Sequence, residues 1–141
     1  MPSCTGISLP GVTRLSYYVD MSRHMDRSTA IAALTALAQA TRLKVFQRLL
    51  NAYPDALAAG EIARACKVPH NTMSTHLAAL MRGGLIAVVR QGRSMNYRAD
   101  LDGFRGLIDF MLRDCCGGRP EICAPVLEDF NAACCAPRAR A

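Results

Sequence analysis

The sequence predicts a mainly α-helical fold with one β-hairpin, in the order α-α-α-α-β-β-α. Three observations predict it. Ala, Leu, Arg and Met are plentiful, while aromatics make up 6% and Trp is absent. That composition favours helix over a β-sandwich. Apolar residues recur at helical spacing along most of the chain. The exception is Leu85–Ala99, where two short β-prone runs flank Gln91-Gly92-Arg93-Ser94, a hairpin signature. The 141 residues, half of them apolar, suffice for a single buried core.

Each element has its own signal. Residues 1–27 have no sustained period and contain Pro2, Gly6, Pro10 and Gly11, so they read as a flexible leader. Met21 and Met25 are alternative translation starts within it. Ser28 is placed as the cap of a first helix, with Ile31, Leu34, Leu37 and Ala38 as its apolar face. A polar break at Gln39–Arg42 precedes a second period, Leu43, Phe46, Leu49 and Leu50, which ends at Tyr53-Pro54-Asp55. Ala58–Cys66 and Asn71–Arg82 form two short helices across the tight Lys67-Val68-Pro69 connection. The second carries the stripe Met73, Leu77, Leu80 and Met81, and Gly83-Gly84 stops it. Leu85–Arg90 and Met95–Ala99 are the hairpin strands. Asp100 or Asp102 caps a last core helix through about Arg113, with Phe104, Leu107, Ile108, Met111 and Leu112 apolar. Gly117, Gly118 and Pro120 end it, and Val126–Ala133 adds a short helix. Residues 28–114 thus form the folded domain and 115–141 a Cys-rich C-terminal segment.

Charge is unevenly spread. The net is +6, yet the first 99 residues hold 12 basic and 4 acidic side chains. Between Gly60 and Ala99, Arg64, Lys67, Arg82, Arg90, Arg93 and Arg98 face Glu61 alone. A basic middle on a neutral remainder suits a polyanion. The longest uncharged stretch near the core, Ser28–Thr41, is too short and too polar to span a membrane. Pro10 and Arg14 interrupt any signal-peptide apolar region, so the expected location is the reducing cytoplasm. There, seven cysteines do not form a disulfide framework.

Helix, three-residue turn, helix, Gly-Gly and hairpin is the order of a winged helix–turn–helix. An α-helix fits the major groove, where its outward polar side chains reach base edges. At about 100° per residue, Asn71, Thr75 and Arg82 point away from the apolar stripe, with Thr72 and Ser74 beside them. Arg90 and Arg93, with Arg98, lie on the wing, suited to backbone phosphates or the minor groove. A solvated helix pair with the same pattern is the alternative. His76 lies beside the stripe and reads as a packed, hydrogen-bonded side chain.

Several segments together resemble the ArsR/SmtB family of bacterial transcriptional repressors. They are Leu37-Ala38-Gln39-Ala40-Thr41-Arg42-Leu43, the run from Val68 to Leu80, Gly84-Leu85-Ile86, and Arg90-Gln91-Gly92-Arg93 followed by Tyr97. The similarity runs from about Ala30 to Leu112. It implies a homodimer joined by the first and last core helices. It also implies binding of double-stranded operator DNA without effector, and release when a metal or metalloid binds. Pro69 stands where the family usually has a Ser that caps the recognition helix.

Five of the seven cysteines lie in the last 27 residues. A family site with Cys-x-Cys in the first helix of the motif finds only Cys66 here. A family zinc site on the last helix needs His, and no His follows His76. Cys115-Cys116 with Cys123 resembles the As(III)-sensing branch of the family. Soft thiolates suit soft ions. Trivalent arsenic or antimony takes three sulfurs, whereas structural zinc takes four ligands. Gly117-Gly118 lets the helix end open, Pro120 turns the chain so that Cys123 can return, and Arg113 and Arg119 would favour thiolates. As(III) or Sb(III) is therefore the expected effector, with no organic cofactor. Methylarsenite on Cys115 and Cys116, or Cd(II) or Pb(II) with a fourth ligand, are alternatives on the same scaffold. Cys66 reads as core, and Cys4, Cys134 and Cys135 as dispensable.

Two other function classes compete. One is a constitutive DNA-binding protein with silent thiols. The other is a thiol redox enzyme. A phosphatase-like arsenate reductase needs Cys-x5-Arg, and the sixth residues after Cys4, Cys66, Cys115, Cys116 and Cys123 are Pro10, Thr72, Glu121, Ile122 and Asp129. Cys-x-x-Cys is absent. A non-enzymatic sensor is the expectation.

Overall fold

The computed structural model describes residues 25–135, with side chains up to residue 129. The described chain divides into two compact units, Met25–Phe110 and the segment from Met111 onward. The expected leader thus lies outside the described residues except for its last three. Of these, Met25 packs against the core, Asp26 caps a helix and Arg27 begins it.

Within the first unit, α1 spans Arg27–Leu37 and α2 spans Ala40–Ala52. The expected cap Ser28 is displaced by Asp26, whose Oδ1 accepts from the Thr29 N–H at 2.8 Å. Ser28 sits inside the helix, and its hydroxyl donates to Asp26 Oδ2 at 2.9 Å. These bonds favour the ionised carboxylate. The Thr29 side chain contributes most, and together they hold Asp26 below its ordinary range. The apolar face of α1 also differs from expectation. Ala30, Ala33 and Ala36 are buried, while Ile31 and Leu34 are 55% and 41% exposed. The reason is a close approach: Cβ atoms built on Gly83 would stand 3.2 Å from the Ala33 Cα and the Ala36 Cβ. Larger side chains on that face would hold the helices apart.

The polar break does separate two helices. Gln39 caps α2 by accepting from the Arg42 N–H at 2.7 Å. Arg42 in turn donates from Nε to the Ala36 carbonyl at 2.7 Å, and from its second guanidinium nitrogen to the Thr35 carbonyl at 3.2 Å. It satisfies the end of α1, a structural task. Val45, Phe46 and Leu49 of α2 enter the core, and Leu43 stays exposed.

A two-residue strand, β1 (Leu57–Ala58), precedes α3 (Ala59–Cys66), where sequence periodicity predicts helix alone. α4 spans His70–Arg82, β2 Ile86–Gln91, β3 Ser94–Ala99 and α5 Leu101–Phe110. The hairpin is thus part of a three-stranded antiparallel sheet, ordered β1-β3-β2. Leu57 pairs with Tyr97, Ile86 with Ala99, and Gln91 with Ser94. Met73, Leu77 and Leu80 of α4 are buried as expected, while Met81 is exposed. Asp100 caps α5 by accepting from the Asp102 and Gly103 N–H groups, both at 3.1 Å. Leu107 is buried, and Phe104 meets Phe46 edge to face at 5.4 Å. Both therefore serve the monomer core, and Ile108 of that helix remains exposed.

In the second unit the helix expected to reach Arg113 continues as a π-helical turn, Met111–Cys115. A 16-residue helix, α6 (Pro120–Cys135), replaces the short one expected at Val126–Ala133. Proline at its first position is favoured, because the missing N–H would be unbonded there anyway. Pro125 lies inside α6.

Candidate nucleic-acid interface and thiol site

The helix–turn–helix is built by α3, the Lys67–Pro69 turn and α4. Glu61 accepts the Ala58 N–H at 3.1 Å and secures the start of α3. At its end Lys67 adopts a left-handed φ of 55°, and the Val68 N–H donates to the Ala63 carbonyl at 3.0 Å. That closure aims the chain into α4. Pro69 supplies no side-chain cap, as its replacement of the usual Ser implies. The first turn of α4 thus keeps N–H groups suited to a phosphate oxygen.

Asn71, Thr72, Ser74, Thr75 and Arg82 are all exposed, while Met73, Leu77 and Leu80 anchor the opposite face. The Ser74 hydroxyl donates to the His70 carbonyl at 3.1 Å, and Thr75 Oγ1 to the Asn71 carbonyl at 3.5 Å. Their oxygens therefore remain outward as acceptors. Asn71 Oδ1 accepts from the Thr72 N–H at 2.9 Å, which leaves its amide nitrogen as a donor. The expected reading side chains share one helix surface. His76 is half-buried, consistent with packing.

On the wing, Arg90, Arg93 and Arg98 are exposed. Gly92 holds the tip with a φ of 61°. Sequence reasoning passed over two wing residues. Asn96 of β3 is only 8% exposed, and its Nδ2 donates to Gln91 Oε1 at 2.7 Å. The register reveals this pair: Gln91 opposes Ser94, so Asn96 is its diagonal neighbour on the same face.

The candidate ligand cysteines lie in the second unit. Gly117 and Gly118 take left-handed φ values of 63° and 64°, reversing the chain after Cys116. The Arg119 N–H donates to the Cys116 carbonyl at 3.3 Å, and the Cys123 N–H to the Arg119 carbonyl at 3.2 Å. This hairpin returns Cys123 so that its Sγ donates to the Leu112 carbonyl at 3.0 Å. Cys123 also interacts directly with the Cys116 thiol. Cys115 is exposed, and its Sγ instead contacts Met111 Sδ at 3.8 Å. Two of the three expected ligands are thus together and the third is turned aside. Among the described residues no three His, Cys, Asp or Glu side chains stand gathered as a metal site.

The electrostatics differ from the expectation of arginine-stabilised thiolates. Desolvation, then the Cys116 thiol and then the Glu121 charge push the Cys123 thiol above its ordinary range. Arg119 is directed to Glu121, with Nε 3.9 Å from the carboxylate. Cys66 is buried in the first unit, as expected of a core residue. Cys4 and the side chains of Cys134 and Cys135 lie outside the described set. Cys134 and Arg140 have the Cys-x5-Arg spacing and also fall outside it.

Residues 37–89 match the family model described as a helix-turn-helix domain. No curated protein is significantly similar to the chain. Among solved structures, an ArsR-like transcriptional regulator from Rhodococcus sp. RHA1 superposes with a TM-score of 0.58 at 23% identity, over 69% of this chain and 89% of that one. A homodimeric winged helix-turn-helix DNA-binding domain from Mycobacterium bovis, described as a possible ArsR-family transcriptional regulator, gives 0.50 at 26% identity over 72% and 85%. A structure described as a possible transcriptional regulator for arsenical resistance gives 0.50 at 25% identity over 56% and 79%. The fold is a winged helix–turn–helix, and the similarity is to transcription regulators of the ArsR family. No helix among the described residues is long and apolar enough to cross a membrane.

Proposed function

We propose, from the premise of an ArsR-type helix–turn–helix domain, that this chain is a dimeric transcriptional repressor released from DNA by a trivalent metalloid. α4 enters the major groove with Asn71, Thr72, Ser74 and Thr75 near bases, and Arg82, Arg90 and Arg93 on or beside the backbone. Ile31 and Leu34 of α1 and Ile108 of α5, all more than 40% exposed on helices that pack together, supply apolar surface for the dimer. The two recognition helices then address half-sites about 34–36 Å apart.

One observation carries the sensing role: a double-glycine reversal returns Cys123 to the turn that ends in Cys115-Cys116. The donor set suits As(III) or Sb(III). Arsenous acid condenses with three thiols, each proton leaving with a hydroxide as water while an As–S bond forms. Cys116 and Cys123 start together, and Cys115 leaves Met111 to join them. That movement reshapes the turn following α5. Coupling of about 3 kcal/mol would weaken DNA binding about 150-fold. Similarity to transcription regulators favours this reading over an enzyme.

The test is a gel shift on DNA from upstream of the chain's own coding region, with and without arsenite. Cys115→Ser, Cys116→Ser and Cys123→Ser should each bind DNA like the parent and resist release. A chain that binds DNA and ignores arsenite would be a constitutive DNA-binding protein. Loss of the response in a Cys134→Ser/Cys135→Ser double variant would move the site to the C-terminal pair.

A further inference from the structure

We propose that Gln91 is a specificity-determining residue of the wing, reading A·T base pairs in the minor groove, with Asn96 as its positioning residue. The inference rests on the DNA-binding reading and goes beyond it, because it assigns a base preference to a side chain outside the recognition helix.

Asn96 lies on β3, the central strand, between Ala58 of β1 and Val89 of β2. Its Nδ2 donates to Gln91 Oε1 at 2.7 Å. Its Oδ1 is buried with no hydrogen-bond partner. Which way the two amides face decides what Gln91 can read. If both were reversed, Gln91 would donate to Asn96, and the buried NH2 group of Asn96 would have no acceptor. An orphaned buried N–H is rarer than an under-satisfied carbonyl, so the observed orientation is favoured.

That orientation leaves Gln91 with a polarised function. Its carbonyl oxygen is drawn towards Asn96 with one lone pair taken, and its amide nitrogen carries the hydrogens free to bond outward. Gln91 is exposed at the end of β2, on the face opposite Arg90, and is separated from Arg93 only by Gly92. Arginine likewise offers donors only. Gln91 and the exposed Arg93 therefore both bring donors to the wing tip. In the minor groove A·T pairs offer only acceptors, whereas G·C adds the guanine amino donor. A tip that turns its donors outward bonds to the former and opposes the latter. A freely rotating Gln could turn its oxygen to guanine, and the hydrogen bond from Asn96 favours the rotamer that keeps the nitrogen outward.

The experiment uses the full chain and duplexes it selects from a random-sequence pool. Each flanking pair outside the half-sites read by α4 is resynthesised as A·T, G·C or inosine·C. Inosine·C keeps the major-groove edge of G·C and lacks only the minor-groove amino group. At one flank position per half-site, A·T and inosine·C should bind about tenfold more tightly than G·C. Gln91→Ala should abolish that difference and leave half-site preference unchanged. Asn96→Leu, which fills the buried position and frees Gln91, should abolish it too while thermal unfolding confirms the fold. A parent indifferent to the flanks, or a Gln91→Ala variant that keeps the difference, would overturn the assignment to Gln91. An Asn96→Leu variant that keeps it would overturn the positioning role. Failure to select any duplex would remove the DNA-binding reading itself, a separate result from selected half-sites with indifferent flanks.

Discussion

Asp26 shows how one side chain sets where α1 begins. Two bonds from Thr29 and one from Ser28 stabilise its carboxylate, so its folded pKa lies below the unfolded value. Its contribution is complete above about pH 4 and is lost as pH falls through the folded value. Asp26→Asn keeps the capping oxygen and removes the titration. Its unfolding midpoint in urea should fall less between pH 5 and pH 3 than the parent's, and equal slopes would show that other groups carry the acid sensitivity. The sequence offers two acceptable caps here, Asp26 and Ser28, and composition does not choose between them. In the structure Asp26 is the cap, with Met25 before it partly buried against the core and Ala30 after it fully buried. Arg42 is a similar case. Its sequence context resembles a family motif, while its work is to satisfy the carbonyls of Thr35 and Ala36.

At the scale of elements, a close approach joins α5 to the turn after α4. A Cβ on Gly103 would collide with the backbone carbonyl of Gly84, and Gly84 itself has a φ of 69°. Neither backbone can give way without moving its helix. Gly103→Ala should therefore cost about 3 kcal/mol or more, measured by urea unfolding. Gly92→Ala meets no neighbour and should show only the smaller strain of a left-handed residue. The order of the elements was readable from periodicity, and so were α4 and the hairpin. The missed features have physical reasons. β1 is only two residues long, so it has no alternation to detect. Alanine on α1 carries little hydrophobic signal, so Ile31 and Leu34 look like the core face. The π-helical turn depends on backbone hydrogen bonding that side-chain spacing does not encode. At the thiol site, the return of Cys123 was visible in Gly117, Gly118 and Pro120. The turning of Cys115 towards Met111 was not.

For the whole molecule, the exposed apolar residues on α1 and α5 are where the proposed dimer can be tested. Leu34→Glu should lower the dimer fraction in sedimentation equilibrium while leaving the monomer core intact, because the side chain is already 41% exposed in the single chain. DNA affinity should fall by at least tenfold, since one half-site is then held by one subunit. A dimer unchanged by this substitution would place the interface elsewhere. On the proposed sensing mechanism, reciprocity requires saturating DNA to weaken arsenite binding by the factor with which arsenite weakens DNA binding. The chain also divides at Phe110, with the helix–turn–helix, wing and exposed α1 and α5 residues before it and the candidate thiols after it. That division has a genetic consequence. On the proposed function, a stop codon shortly after Phe110 should give an uninducible allele, dominant over the wild type because mixed dimers would retain two reading heads and only one sensor. Substitutions in the core of Met25–Phe110 should instead give recessive derepression. A reporter strain carrying both alleles would sort the two phenotypes without purifying any protein.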